Sequence, residues 1–178
     1  MIAATAEFAE RGIAGARVDR IASAAQANKR AIYDYFGDKD GLFDAVVDAL
    51  IEQGVDAVPI DAGDLPDYAG RLFTYVVEHP ELARLVTWAG LERRLGPTAR
   101  AHSTQSYSRR LAAIEAAQRS GQVPTRFTAQ QILTLIESIA VGWRYTTAAI
   151  LTTDEDGRSK HLENHRQVIV GSVRRLLS

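Results

Sequence analysis

Apolar residues recur at helical spacing along nearly all of the 178-residue chain, and this periodicity limits the possible folds more than any other feature. The alternation of apolar and polar residues that is typical of strands is not sustained anywhere in the sequence. No Asn-Gly or Asp-Gly turn joins two β-branched runs, and Asp156-Gly157 lies between polar segments. The sequence therefore predicts an all-α fold.

Glycine, proline and capping residues divide this pattern into about nine helices. Gly12 is expected to end the first helix, Asn28 and Asp38 are suitable N-caps, and Thr128 with Gln131 forms a capping-box pair. The predicted helices are 1–11, 18–25, 29–35, 39–53, 67–78, 80–94, 98–120, 128–151 and 159–177.

Composition excludes several classes of protein. Apolar residues make up 46% of the chain and charged residues 24%, which is too apolar for a disordered protein. The sequence contains no apolar run long enough to span a membrane and no visible signal peptide. Because cysteine is absent, disulfides, thiolate metal sites and cysteine nucleophiles are excluded. We expect a cytoplasmic protein.

Charge is distributed unevenly along the chain, although the net charge is only -1. Residues 11–39 contain six basic and three acidic side chains, whereas residues 40–90 contain two basic and ten acidic ones. A basic lobe followed by an acidic region indicates two separate functions on one chain.

Residues 18–36 have the spacing of a helix-turn-helix, because two short predicted helices flank a turn of three or four residues. Ala22 is small enough for the two helices to cross closely. The residues spaced to pack the helices together are Ile21, Ala25, Ile32 and Tyr35. On periodicity alone, a pair of amphipathic core helices with a solvated basic edge remains an alternative.

The second helix of this motif begins with Asn28, Lys29 and Arg30, so its N-terminal end carries positive charge and backbone amide donors. That end enters the major groove in a helix-turn-helix protein. The Tyr33 hydroxyl and the Lys39 ammonium are groups that bind phosphate oxygens.

Residues 6–46, AEFAERGIAGARVDRIASAAQANKRAIYDYFGDKDGLFDAV, resemble the TetR family of bacterial transcriptional regulators. The marks of the resemblance are Phe8 four before Gly12, Ile21-Ala22, Ile32-Tyr33, Tyr35-Phe36, Lys39 and Leu42-Phe43. The resemblance implies a DNA-binding domain over residues 1–46. Its expected DNA-contacting residues are Arg17, Asn28, Lys29, Arg30, Ala31, Tyr33, Asp34, Tyr35 and Lys39.

The sequence departs from the family pattern in several places. Arg17 stands where the family usually has Ser or Thr as a helix cap, and Gln26 stands where the turn usually has Gly. Gln26 must then adopt a less favourable backbone conformation. The turn also has Ala27 for the usual Val and Asn28 for the usual Ser. The first helix starts late, so we expect either a longer natural protein or one without the N-terminal arm.

The resemblance further implies that residues 47–178 form a helical domain that binds a small-molecule effector and pairs two subunits on a palindromic operator in double-stranded DNA. Pockets are usually apolar with a few polar groups. The expected ligand-binding residues are Phe73, Trp88, Leu91, Glu92, Tyr107, Arg110, Trp143 and Tyr145. The alternative is that these aromatic residues only fill a core.

The last two predicted helices carry more apolar surface than one packing face requires, which favours a four-helix homodimer interface. The expected interface residues are Ile132, Leu135, Ile136, Ile139, Trp143, Val168, Val173 and Leu176. Two buried core helices are the alternative interpretation.

Two further functions remain open. The departures at Arg17 and Gln26, with the late start, fit a helical small-molecule binder that has lost DNA binding. His161 and His165 have the spacing of a metal-binding pair in an all-α enzyme, but Glu163 is misplaced for the HExxH pattern. We expect no enzyme activity, no cofactor, no metal and no membrane partner.

Overall fold

A computed structural model describes the backbone of residues 1–91, 97–147 and 155–178, and their side chains except at 91, 97–103, 143–147 and 155–159. Every regular element in these ranges is a helix, so the predicted all-α fold is confirmed. The described helices are α1 (Ile2–Gly15), α2 (Val18–Ala24), α3 (Lys29–Phe36), α4 (Lys39–Ala57), α5 (Leu65–Glu78), α6 (Pro80–Leu91), α7 (Pro97–Arg119), α8 (Ala129–Thr147) and α9 (Glu155–Leu177). None of these nine is long and apolar enough to cross a membrane.

At three helix starts, the side chains that the sequence predicted as caps form capping hydrogen bonds. Asn28 Oδ1 accepts a hydrogen bond of 2.8 Å from an amide in the first turn of α3, and Asp38 Oδ1 accepts one of 2.7 Å at the start of α4. The Thr128 amide donates to the Gln131 side chain over 2.9 Å, and the Gln131 amide donates to the Thr128 hydroxyl over 3.2 Å. Each bond satisfies an amide that the first helical turn leaves unpaired.

The first compact unit consists of residues 1–55 and 79–105, and therefore includes α1 to α4, α6 and the beginning of α7. Its core contains Phe8 and Phe43, whose rings meet edge to face with centroids 5.2 Å apart. Leu85 of α6 is fully buried in the same core. The unit therefore extends beyond the expected domain boundary at residue 46, because α6 packs against α1.

Gly12 breaks α1 with a positive φ of +68°, but the helix resumes after this kink and ends at Gly15 rather than at the predicted residue 11. A Cβ atom at Gly12 would lie 3.1 Å from the indole of Trp88, so glycine is favoured both by its backbone freedom and by its lack of a side chain. Trp88, which we expected in a ligand site of the second domain, instead packs, partly buried, against the core of the first unit. The Arg84 guanidinium lies 5.2 Å from the centre of its ring.

The second compact unit consists of residues 56–78 and 106–178, with α5, the remainder of α7, α8 and α9. Helix α5 packs against both α8 and α9. It approaches α9 closely at Gly70, where a Cβ atom would lie 2.8 Å from a methyl group of Val170. An ion pair of 3.0 Å between Asp67 and Arg166 joins the same two helices.

Burial separates the residues that were expected at a dimer interface into two groups. Ile132, Ile136 and Val173 are fully buried in the core of the second unit, so they offer no surface to a partner and their assignment is corrected. The remaining described side chains keep apolar surface: Leu135, Ile139 and Leu176 are half-buried, and Val168 is 45% exposed. The side chain of Trp143 lies outside the described residues.

Candidate nucleic-acid interface

The turn between α2 and α3 is held by backbone hydrogen bonds despite its unusual sequence. Gln26 has a φ of +51°. Among the described residues, every other positive φ belongs to a glycine. Its amide donates to the Ser23 carbonyl over 3.2 Å, and the Ala27 amide donates to the Ala22 carbonyl over 2.9 Å. The unfavourable conformation expected at Gln26 is therefore confirmed, and the turn forms with it.

Helix α3 presents nearly all of its surface to solvent. None of its residues is buried, and only Ile32 and Phe36 pack, partly buried, against the core of the first unit. The exposed residues at the start and along the outer face are Asn28, Lys29, Arg30, Ala31, Tyr33, Asp34 and Tyr35. Arg17 is exposed as well, and Lys39 is half-buried in the first turn of α4. This arrangement leaves the N-terminal end of α3 accessible to a groove.

Acidic side chains lie beside the cations of this surface. The Lys29 ammonium is 2.6 Å from a carboxylate oxygen of Asp19 on α2 and 5.8 Å from the centre of the Tyr33 ring. The hydrogen bond to Asp19 raises the pKa of Lys29 and lowers that of Asp19. Arg30 is 3.9 Å from Asp34 one turn later in α3. Both cations are exposed, and a phosphate or a base edge that binds them must displace or share their acidic partners.

Glu7 binds the backbone at the start of α2, where Arg17 provides no side-chain cap. The Arg17 side chain makes no capping bond to α2, but its amide donates to Glu7 Oε1 over 2.9 Å. The same carboxylate accepts a hydrogen bond of 2.8 Å from Arg20 Nε. The bond from Arg20 is the main reason that the pKa of Glu7 lies below its usual range. Glu7 therefore fixes the start of α2 and leaves the side chain of Arg17 exposed.

Replacing Glu7 with Gln is expected to lower the free energy of unfolding by about 1 kcal/mol at neutral pH, since it removes charge-assisted hydrogen bonds. The lowered pKa of Glu7 means that the stabilisation is fully present above its ordinary value of 4.5 and is lost as the pH falls through the folded value. Urea unfolding of both proteins at about pH 7 and about pH 3.5 should therefore show the difference shrinking in acid. The control is Glu10→Gln, at an exposed position of the same helix. A difference for Glu7→Gln that is the same at both pH values contradicts the assignment.

The structure corrects two expected packing contacts. Ala25 and Tyr35 were expected between α2 and α3, but both are exposed, Tyr35 by 83%. Sequence reasoning missed Glu7, Asp19 and Arg20. Glu7 precedes Arg17 by ten residues, and no local spacing rule connects two positions across the break at Gly12.

The residues expected to bind a ligand are divided by the fold. Phe73, Tyr107 and Arg110 lie in the second unit, with Phe73 buried in its core and Tyr107 packed at the edge of that core. Arg110 forms an ion pair with Glu137. The expected residues whose side chains lie outside those described are Leu91, Glu92, Trp143 and Tyr145.

Comparisons with known proteins match the two parts of the chain separately. The family model described as bacterial regulatory proteins, tetR family, matches residues 1–46. The model described as tetracyclin repressor-like, C-terminal domain, matches residues 64–175.

Individual relatives agree with the family models. The HTH-type transcriptional repressor SCO4008 of Streptomyces coelicolor is 40% identical over 139 residues, which cover 78% of this chain and 72% of that protein. The HTH-type transcriptional repressor NicS of Pseudomonas putida is 29% identical over 167 residues, or 85% of this chain and 78% of that protein. Among solved structures, the putative transcriptional regulator SCO4942 of Streptomyces coelicolor superimposes with a TM-score of 0.81 at 32% identity, over 99% of this chain and 94% of that one.

Proposed function

Because the chain belongs to the TetR family of bacterial transcriptional regulators, we propose that this DNA-binding regulator is a repressor whose homodimer binds a palindromic operator under the control of a small-molecule effector. Residues 1–46 act as the DNA-binding domain, and residues 47–178 bind the effector and pair the subunits. Two similar proteins that carry the name repressor support the direction of control. A regulator of this kind acts in the cytoplasm, where bacterial DNA lies.

The observation that carries the proposal is the exposure of α3, which has no buried residue and begins with Lys29 and Arg30. In a helix-turn-helix this end reads base edges in the major groove, while the flanking groups bind phosphates. The proposed DNA-contacting residues are Arg17, Asn28, Lys29, Arg30, Ala31, Tyr33, Asp34, Tyr35 and Lys39. Of these, we assign Arg17, Tyr33 and Lys39 to phosphates, since Arg17 precedes α2, Tyr33 lies beyond the first turn of α3 and Lys39 begins α4.

A homodimer supplies the second DNA-binding domain that a palindromic operator requires. The apolar surface left on α8 and α9 at Leu135, Ile139, Val168 and Leu176 supports pairing through these helices. Burial of such surface between two copies would form a four-helix interface across a two-fold axis. The two α3 helices then contact half-sites about 34–36 Å apart, one turn of DNA.

Effector control requires two conformations that the effector binds with different affinity. We propose that the effector binds in the C-terminal domain at residues that include Phe73, Tyr107 and Arg110, with Leu91, Glu92, Trp143 and Tyr145 as further candidates. Binding of the effector shifts α6 and α7 and tilts α4. These movements change the distance between the two DNA-binding domains of the dimer.

Two structural details favour DNA binding over the alternative of a ligand binder that has lost it. The Gln26 turn is formed with its backbone hydrogen bonds, and Glu7 accepts a hydrogen bond from the Arg17 amide at the start of α2. The enzyme alternative rested on His161 and His165, whose rings stack 6.4 Å apart. Within the described residues, no group of three or more potential ligands could hold a metal ion. The family is one of regulators, and we propose no catalytic activity.

The test is binding of the full-length protein to a palindromic fragment from its own upstream region, measured by fluorescence anisotropy at several salt concentrations. If the dimer contacts six to ten phosphates, affinity should fall by about 10³- to 10⁵-fold between 50 and 200 mM salt. Tyr33→Ala and Lys39→Ala should each weaken binding by roughly tenfold or more, because every dimer loses two contacts.

The control for Lys39→Ala is Lys160→Ala, which removes the same charge at an exposed position of α9. Equal effects of these two variants, or binding that does not respond to salt, would show that the proposed surface is wrong. Absence of any binding to palindromic fragments would favour the ligand-binding alternative.

A further inference from the structure

Two polar atoms on α7 are buried without a hydrogen-bonding partner in the part of the chain that the structure describes. They are the Ser106 hydroxyl oxygen and the Arg110 Nε. Ser106 is only 6% exposed. Because the two residues are four apart in one helix, their side chains lie on the same face, about 5–6 Å apart at Cβ. Buried polar groups are nearly always paired in proteins, so two unpaired groups side by side indicate a missing partner.

The charge of Arg110 is already balanced by the protein. Arg110 Nη1 lies 2.5 Å from Glu137 Oε1 on α8. Burial alone would lower the pKa of Arg110, but the Glu137 carboxylate, with a further contribution from the Tyr68 hydroxyl, outweighs burial and raises it. The guanidinium therefore stays charged and is neutralised locally, while its Nε–H still lacks an acceptor.

The pair adjoins the apolar core of the second unit. Ile114, one helical turn after Arg110, is buried in that core together with Tyr68, whose hydroxyl hydrogen-bonds to Arg110, and the Arg110 guanidinium lies 5.8 Å from the centre of the Tyr107 ring. A ligand that accepts hydrogen bonds from Ser106 and Arg110 must therefore also have an apolar part, as ligands of apolar pockets do.

We propose that Ser106 and Arg110 form the polar end of the effector site, and that the effector is an uncharged, mostly apolar molecule with one oxygen or nitrogen that accepts hydrogen bonds. The Nε–H only donates, and the Ser106 hydroxyl is able to donate, so the group between them must be an acceptor. A carboxylate is disfavoured, since it would compete with Glu137 for Arg110 and leave one negative charge uncompensated in the core. The inference rests on the proposed effector control and defines the chemistry of that site.

Three small probes of similar shape separate these possibilities. Acetophenone has a neutral carbonyl acceptor, α-methylstyrene has a carbon in place of that oxygen, and benzoate carries a negative charge. Their binding to the full-length protein can be compared by saturation-transfer NMR and calorimetry. Acetophenone should bind at least about tenfold more tightly than either of the others, because a site built around buried donors rejects analogues that lack the acceptor.

Variants of α7 test the residues themselves. Ser106→Ala should weaken acetophenone binding by roughly tenfold and leave α-methylstyrene binding unchanged, since only the carbonyl uses the hydroxyl. The matched control, Ser108→Ala, changes an exposed serine of the same helix and should affect neither probe. Without a probe, Ser106→Ala should not lower the melting temperature, because its hydroxyl has no partner to lose.

Three results would overturn the inference. They are preferred binding of benzoate, no loss of acetophenone binding in Ser106→Ala, and a clear drop in the melting temperature of that variant, which would indicate a fixed structural water as the partner. Operator binding is measured on the same preparation, so that failure of the inferred effector chemistry can be distinguished from failure of the proposed function. If benzoate binds and releases the operator fragment, effector control stands and only the proposed effector chemistry is wrong.

Discussion

Replacing both Lys29 and Arg30 with alanine is expected to lower operator affinity by about 10²- to 10⁴-fold, the largest effect of any surface change in this protein. The two residues occupy the first turn of α3, where both are exposed, and each dimer loses four cations. The loss of even one base contact costs about 1–3 kcal/mol of binding free energy in each DNA-binding domain, and the two domains bind the operator together.

Salt dependence shows what these cations contact. If they bind phosphates, the slope of log affinity against log salt should become shallower by about 3 to 4, since roughly 0.9 is lost for each phosphate. If they read bases, the slope changes less and discrimination against a scrambled fragment is lost.

The control for this double variant is Arg109→Ala with Arg119→Ala, which removes the same charge from exposed positions of α7. It should change affinity only slightly, through the weak long-range field. If the two double variants lose affinity equally, bulk charge rather than α3 drives binding, and the proposed interface is wrong.

Replacing Phe8 with alanine is expected to destabilise the first unit by about 3–5 kcal/mol, a large part of the roughly 5–15 kcal/mol that stabilises an ordinary domain. Phe8 is fully buried, and its ring meets that of Phe43 edge to face at 83°. Its removal leaves a cavity between α1 and α4. Operator binding should weaken as well, because this core supports α2 and α3.

Urea unfolding followed by tryptophan fluorescence measures this effect in a Trp143→Phe background. The remaining tryptophan, Trp88, packs against the core of the first unit and therefore reports that unit. Tyr35→Ala is the control, since it removes an aromatic ring that is 83% exposed in the same unit and should cost less than about 0.5 kcal/mol. A cost below about 1 kcal/mol for Phe8→Ala contradicts the assigned core position.

Local features were predicted well because their physics is confined to a few neighbouring residues. The caps at Asn28 and Asp38 depend on a side chain and amides two or three positions later. The break at Gly12 and the strained turn at Gln26 depend on backbone preferences of single residues. The helix-turn-helix spacing likewise reflects one short segment, which lies within the residues 1–46 that the tetR family model matches.

Predictions that required a choice between helical faces were less accurate. The apolar stripe of α8 was assigned to a dimer interface, yet Ile132 and Ile136 are buried in the core of the second unit, in which α8 packs against α5. Trp88 was assigned to a ligand site, yet it packs beside Gly12. Periodicity shows that a face is apolar, but it does not show which element covers it.

The sequence alone determined the helical class, most helix starts and the position of the DNA-binding motif, since backbone propensity, capping and spacing act within a few residues. Only the tertiary structure decided that Glu7 binds the Arg17 amide, that Asp19 pairs with Lys29, and that Arg110 pairs with Glu137. These contacts join residues that lie ten or more positions apart, and their formation depends on how the helices pack.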